Sequence, residues 1–281
     1  MTGLIKLPTC IIFLIFLASP LLAKIILEGA DSPELASYIE NETEKLEAFF
    51  ETDAGSIFVF VAENREQFDS ATGNILPEWG FAAAIPRMSK VILLSQRKFN
   101  PSVVAHELTH ILLHKKTKNS YIPRWFDEGV AQLLPGEAMQ GSTIRLAFAS
   151  VSGKLIELPD IDDVNIFHSD KAHLAYAESY IAVKLLYEEV GKESLIRFIS
   201  DIPKLGFDRA MLSHFGITES GYNKIVLEHI RRHYNIFSIF LDQRVIFLVF
   251  LLLLFISYIR VKIRNRRKIR EWENEEGPAP Y

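Results

Sequence analysis

Residues 101–131 read PSVVAHELTHILLHKKTKNSYIPRWFDEGVA, and the first half of this stretch predicts a helix over Pro101–His114. Asn100 supplies a capping side chain, and Pro101 suits the first turn, where its missing N–H would have no partner in any case. Inside the helix, His106-Glu107-Leu108-Thr109-His110 sets two imidazoles four residues apart. Residues at that spacing lie one turn apart on the same face, so both rings can reach a single ion. Glu107 lies about 100° further round the helix. It projects beside the imidazole face, where a carboxylate can take a proton from water. Val104, Leu108, Ile111 and Leu112 fall on the opposite side, which can pack on a core. His114 shares the imidazole side but sits about 12 Å along the axis from His106, which gives it a surface or supporting role.

A pair of imidazoles needs a third ligand. Trp125-Phe126-Asp127-Glu128-Gly129-Val130-Ala131 lies in a second predicted helix, Pro123–Leu134, closed by Pro135-Gly136. Glu128 can approach the ion across the imidazole pair and leave a fourth position open for water. Asp127 is the alternative ligand, pointing about 100° away on the same helix. Where Asp127 is not a ligand, it can orient an imidazole through the ring N–H.

Val-x-His-Glu-x-Thr-His followed by Pro-x-Trp-x-x-Glu-Gly-x-Ala resembles the gluzincin zinc peptidases, and most closely the bacterial peptidase MA-like family. The resemblance implies that Zn2+ is the cofactor, that His106, His110 and Glu128 are its ligands, and that Glu107 is the general base. It implies a peptide or protein substrate. Ala175-Tyr176-Ala177-Glu178-Ser179-Tyr180 looks like the family's helix after the zinc site, and Phe207–Phe215 is similar to the short helices that close its C-terminal lobe. Together the similarity spans roughly residues 55–235, and its specific motifs lie within 103–131. Related enzymes use a Tyr or His from outside the zinc helix to donate to the developing oxyanion. Tyr176 and Tyr180 are the candidates here, with Tyr176 preferred and packing of the helical lobe as the alternative role. Gluzincin aminopeptidases carry a Gly-x-Met-Glu-Asn strand whose Glu holds the substrate amine. The comparable stretch here, Gly80-Phe81-Ala82-Ala83-Ala84, has no carboxylate, although an edge strand there can still pair with a substrate backbone.

Upstream of this region, strands are expected at Ile25–Leu27, Ser56–Ala62, Phe81–Ile85 and Lys90–Ser95, with a helix over Ser32–Phe50. Downstream, Leu146–Leu158 is expected to form a hairpin around Gly153. Helices follow at Asp170–Val190, Glu193–Ile202, Asp208–Phe215 and Ser220–Tyr234. The fold class expected is an α+β zincin-like metallopeptidase domain over residues 24–240 with a C-terminal helical lobe from about residue 169. His168 and His173 flank the start of the long helix and read as solvated or capping residues.

Both ends of the chain are apolar. Residues 1–23 carry one charge, Lys6, ahead of the run Cys10–Leu17, with Pro20 and Ala23 before a cut. This is the pattern of a signal peptide, with an uncleaved anchor as the alternative. Cys10 is the only cysteine, so an exported mature chain would hold no disulfide. Val245–Ile259 (VIFLVFLLLLFISYI) has no charge, and it is followed by seven Lys/Arg and four Glu in residues 260–281. A transmembrane helix is expected at 243–262, with a basic tail over 263–281 that the positive-inside rule assigns to the cytoplasm. A buried core helix is the competing reading. Arg231, Arg232 and His233 read as an interfacial face just outside the span, and Trp272 as a residue near the headgroups.

The net charge of −4 over 281 residues conceals this division. Residues 24–244 hold 23 Lys/Arg against 31 Asp/Glu, a net of 23 − 31 = −8, which argues against nucleic acid as a partner. The expectation is therefore a membrane-anchored, zinc-dependent metallohydrolase, a peptidase whose catalytic domain lies on the extracytoplasmic side. A non-catalytic, zinc-stabilised envelope binding module is the alternative.

Overall fold

The computed structural model describes residues 25–275 apart from 30–31, 75, 79, 96–99, 136–141, 167 and 242. The expected signal peptide, residues 1–23, lies outside them. The described chain is a mixed α/β structure, mostly helical.

Its sheet is built from four strands, β1 (Ile25–Glu28), β2 (Ile57–Ala62), β3 (Ala82–Ile85) and β4 (Lys90–Leu94), in the order β1-β2-β4-β3. The first three of that order run parallel, and β3 is an antiparallel edge strand beside β4. The parallel pairing of β1 with β2 requires a crossover, which α1 (Pro33–Phe50) provides. Ser32 caps α1 by accepting from Leu35 N at 3.2 Å, with Pro33 in the first turn. β2 alternates as a half-covered strand should: Ile57, Val59 and Val61 enter the main core, while Ala62 and Ile92 of β4 join Phe68 on the other face. Phe68 comes from α2 (Arg65–Thr72), which was not among the expected elements. Asn64 caps this helix by accepting from Gln67 N at 3.0 Å, while the Gln67 side chain accepts from Glu63 N at 3.0 Å.

The helix α3 (Pro101–Lys116) lies on the core face of the sheet and packs against α1 and β3. Val104, Leu108, Ile111 and Leu112, the predicted apolar side, are all buried. Next, α4 (Arg124–Leu133) packs tightly on α6 (Ser169–Leu205), which bends at Gly191 and so divides where the sequence predicts two helices. Gly129 allows the close approach: a Cβ on it would stand 2.4 Å from Ser179 O and 2.4 Å from Val183 Cγ2. The far ends of the helices meet in an aromatic cluster. Phe126 lies 5.5 Å from Phe198 of α6 and 5.3 Å from Phe207, while Trp125 lies 5.7 Å from Phe207 and 5.9 Å from Tyr222. Phe207 belongs to α7 (Phe207–Phe215) and Tyr222 to α8 (Glu219–His233).

The expected hairpin over Leu146–Leu158 is instead a helix, α5 (Ser142–Ser152), followed by a 3-10 segment, Leu158–Ile166. Gly153 does turn the chain, but as the left-handed residue that ends a helix: its φ is +67°, and Lys154 N returns to Ala149 O at 2.8 Å. Leu146, Ala147 and Ala149 are buried together, a grouping that fits a helix face and breaks strand alternation. After α8, a short helix α9 (Ile236–Leu241) packs on α5 and leads into α10 (Gln243–Glu275). Within α10, Val245–Arg270 is long and apolar enough to cross a membrane, and none of it is buried against the rest of the protein. This helix continues through the expected boundary at residue 262 into the basic segment.

Candidate metal centre

Helices α3 and α4 bring three donors to one point. His106 Nε2 and His110 Nε2 are 3.2 Å apart, and Glu128 Oε2 lies 3.3 Å from the first and 3.7 Å from the second. A tetrahedral ion about 2.0–2.1 Å from each donor would give donor–donor edges of roughly 3.4 Å. The donor set thus has the dimensions, as well as the chemistry, of a site that could hold a divalent metal ion. The i,i+4 spacing on α3 supplies the imidazoles. Glu128 reaches them because α4 lies across α3, fixed from behind by its packing on α6.

Asp127 takes a different part of the site. Its Oδ1 is 2.6 Å from His110 Nδ1 and its Oδ2 is 3.1 Å from His114 Nε2. A carboxylate at Nδ1 makes that nitrogen the donor, so Nε2 is the ring nitrogen that faces the donor cluster. Thus the neighbouring acids diverge as their helical positions require, Glu128 toward both Nε2 atoms and Asp127 behind His110. His114, distant from His106 along the helix, meets the site through Asp127.

Arg124 also bears on the site. Its Nη2 is 2.7 Å from Glu128 Oε1, which leaves Oε2 toward the imidazoles, and its charge also acts on the Tyr176 hydroxyl. Sequence reasoning passed over Arg124, although its i,i+4 relation to Glu128 on a predicted helix was a usable signal. The start of α4 is held in turn by Asp162, which accepts from Arg124 N at 2.7 Å and from the Tyr121 hydroxyl. Tyr176 of α6 therefore stands beside the donor cluster. Tyr180, one turn further on, is placed near Tyr234, while His168 and His173 are exposed on the first turns of α6 and its cap.

The local field is strongly shaped by burial. Burial raises the Glu107 carboxyl above its ordinary range, against the opposing pull of His106 and His110. For His110, burial alone would lower the imidazolium, but Asp127, Glu128 and Glu107 outweigh it and raise it to about 9. Burial likewise favours neutral Asp127 and Glu128. Instead His110 and His114 hold Asp127 well below the carboxylate range, and Arg124 with His106 and His110 holds Glu128 low. Burial, with Glu128 adding to it, raises the Tyr176 hydroxyl and keeps it a donor.

A family model of the Peptidase MA superfamily matches residues 56–231. The chain belongs to the Peptidase MA superfamily. No curated protein and no solved structure matches it. The matched region of this Peptidase MA chain begins just before β2 and ends within α8, so it contains α3, α4 and the whole donor cluster. It is of gluzincin type, and membership implies a metallopeptidase, typically zinc-dependent, acting on a peptide or protein.

Proposed function

We propose that this protein is a membrane-anchored zinc peptidase in which His106, His110 and Glu128 hold the metal and Glu107 is the general base. The observation that carries the reading is the convergence of two imidazole nitrogens and one carboxylate oxygen at 3.2–3.7 Å. Zn2+ in that cradle supplies Lewis acidity toward a carbonyl oxygen and toward water. Asp127 holds the His110 ring in the orientation that presents Nε2, and Arg124 holds Glu128 by its other oxygen. Glu107 is buried beside the two histidines, and its raised proton affinity suits a group that takes a proton from attacking water and gives it to the leaving amine. Tyr176, beside Arg124, donates to the oxyanion. The edge strand β3 packs against α3 and offers its outer edge to an extended substrate. It carries no carboxylate to bind a free amine, which favours cleavage within a chain over removal of N-terminal residues.

α10 anchors the protein, and the cations from Arg260 to Arg270 favour a cytoplasmic C-terminus with the peptidase domain outside. The experiment is a digest by the full-length protein of peptides with blocked and with free N-termini, with and without a chelator. Glu107→Gln should keep the metal and abolish hydrolysis, whereas His106→Ala and Glu128→Ala should lower bound zinc. Undiminished turnover by Glu107→Gln would remove that residue from the mechanism, and normal zinc in both alanine variants would refute the ligand set.

A further inference from the structure

A groove of about 730 Å³ lies between α5 and the start of α6. Its apolar lining includes Ile144, Phe148 and Leu174, and its charged lining among the described residues is Arg145, Lys154 and Lys171 with one acid, Asp170. This is a local inversion of sign on a body whose net charge is −8. On α5 and on the helix packed against it, large apolar side chains face solvent: Phe148 is 63% and Val151 61% exposed on α5, and Phe237 is 73% exposed on α9. α5 and α9 pack together, and α9 leads directly into α10.

We infer that this face of α5, α9 and the first turns of α6 docks on the anionic lipid surface of the membrane that α10 crosses, an inference that rests on α10 being a span. Continuity with α10 selects the occupant. Phe237 precedes Val245 by eight residues, about 12 Å if wholly helical. The headgroup layer on each side of the hydrocarbon is roughly 5–8 Å thick, so α9 and the α5 surface against it lie at or just above that layer. A face that combines exposed Phe and Val with three cations matches the composition of interfacial helices. An acidic peptide would satisfy the cations but would leave Val151 and Phe237 uncovered. Docking here would hold the peptidase domain at a fixed orientation to the bilayer, where a flexible tether would let it swing.

The test uses the full-length protein with Cys10→Ser and one labelled cysteine at a time. Leu252→Cys reports on the span, Val151→Cys on the proposed face, and Phe58→Cys on the sheet. Each carries an environment-sensitive fluorophore in vesicles of phosphatidylcholine with or without phosphatidylglycerol, made with brominated acyl chains that quench on contact. Quenching is expected at 252 in every vesicle, at 151 when phosphatidylglycerol is present, and not at 58. Each cation near an anionic surface contributes roughly fivefold to the docked-to-undocked ratio, so Arg145→Glu with Lys154→Glu and Lys171→Glu should lower that ratio by at least ~100-fold. An unquenched probe at 252 would sink the anchor itself. Quenching at 252 with the probe at 151 no more quenched than at 58 would overturn the docking and leave the anchor standing. Quenching at 151 that ignores both phosphatidylglycerol and the triple variant would overturn the anionic-lipid assignment. Shielding at 151 that instead rises with protein concentration would give the face to a second copy and overturn the proposal equally.

Discussion

Gly129→Ala sets two well-calibrated effects against each other. Helix propensity alone favours alanine over glycine by about 1 kcal/mol in a helix interior, and Gly129 is inside α4. Packing predicts the opposite sign. The new Cβ would stand 2.4 Å from the backbone oxygen of Ser179, where ordinary contact begins near 3.4 Å, so α4 and α6 must separate by about 1 Å. Val183 Cγ2, also at 2.4 Å, can rotate only within a fully packed core, and the Ser179 carbonyl belongs to the helix backbone and cannot. A 1 Å gap forfeits a quarter to a half of each dispersion contact across it, and overpacking of this kind costs about 1–3 kcal/mol. Trp125, Phe126, Val130 and Ala131, all buried on α4, share that loss. With steric cost set against propensity, the net expectation is a loss of up to about 2 kcal/mol. Because Glu128 precedes Gly129, the same shift moves its carboxylate away from the imidazoles. The assay is denaturant unfolding of the metal-free protein in detergent, followed by Trp fluorescence, alongside zinc affinity by competition with a chelator. Unfolding at lower denaturant together with weaker zinc binding is expected. A Gly129→Ala protein that is more stable than the parent would refute the claim that this glycine exists for the α4–α6 approach.

The remaining predictions concern α6. Tyr176→Phe should lower kcat with bound zinc unchanged, while Tyr180→Phe, near Tyr234 instead of the donor cluster, should leave turnover intact; equal effects in both would remove the oxyanion role from Tyr176. Glu178 is fully buried, accepts from Ile156 N at 3.1 Å, and is raised by burial to about 8. A carboxyl whose folded value lies above its unfolded one contributes stability that is complete below the unfolded value and is lost as pH rises toward the folded one. Stability should therefore fall between about pH 4.5 and 8 on this account, by up to a few kcal/mol. Glu178→Gln should flatten that slope and be the more stable protein at pH 8; parallel pH profiles of the metal-free proteins would refute it.

What could be read in advance depended on how far apart in sequence the deciding residues lie. The imidazole pair, its carboxylate neighbour and the apolar back of α3 are all set by positions within one helix, so the 3.6-residue repeat predicts them. Asn100-Pro101 likewise marks the start of α3 locally. α2 is equally local, since Asn64 and Gln67 have the spacing of a capping box. α5 differs from the expected hairpin because Gly153 serves a hairpin or a helix end equally well, and the burial of Leu146, Ala147 and Ala149 against distant helices decides between them. The proximity of Arg124 to Tyr176 and the Glu178–Ile156 hydrogen bond join residues 52 and 22 positions apart. Such pairings follow from how α4, α5 and α6 pack, and no local pattern in the sequence encodes them.

The electrostatics of the site explain why a group so costly to bury persists. Glu107, Asp127 and Glu128 are all buried within reach of one permanent cation among the described residues, Arg124. When the three carboxylates are ionised, two negative charges are left over, and isolated buried charges of that kind are prohibitive unless something positive balances them. In the metal-free protein protons supply part of the balance, on His110, whose imidazolium the surrounding carboxylates raise to about 9, and on Glu107, whose carboxyl burial raises. A divalent cation is the more complete answer, because it balances both charges and needs the imidazoles neutral. The proton and the metal ion therefore compete for one negative field, and Asp127 biases the contest by keeping its hydrogen bond to Nδ1 in either state, so that losing the second ring proton frees Nε2 without turning the ring.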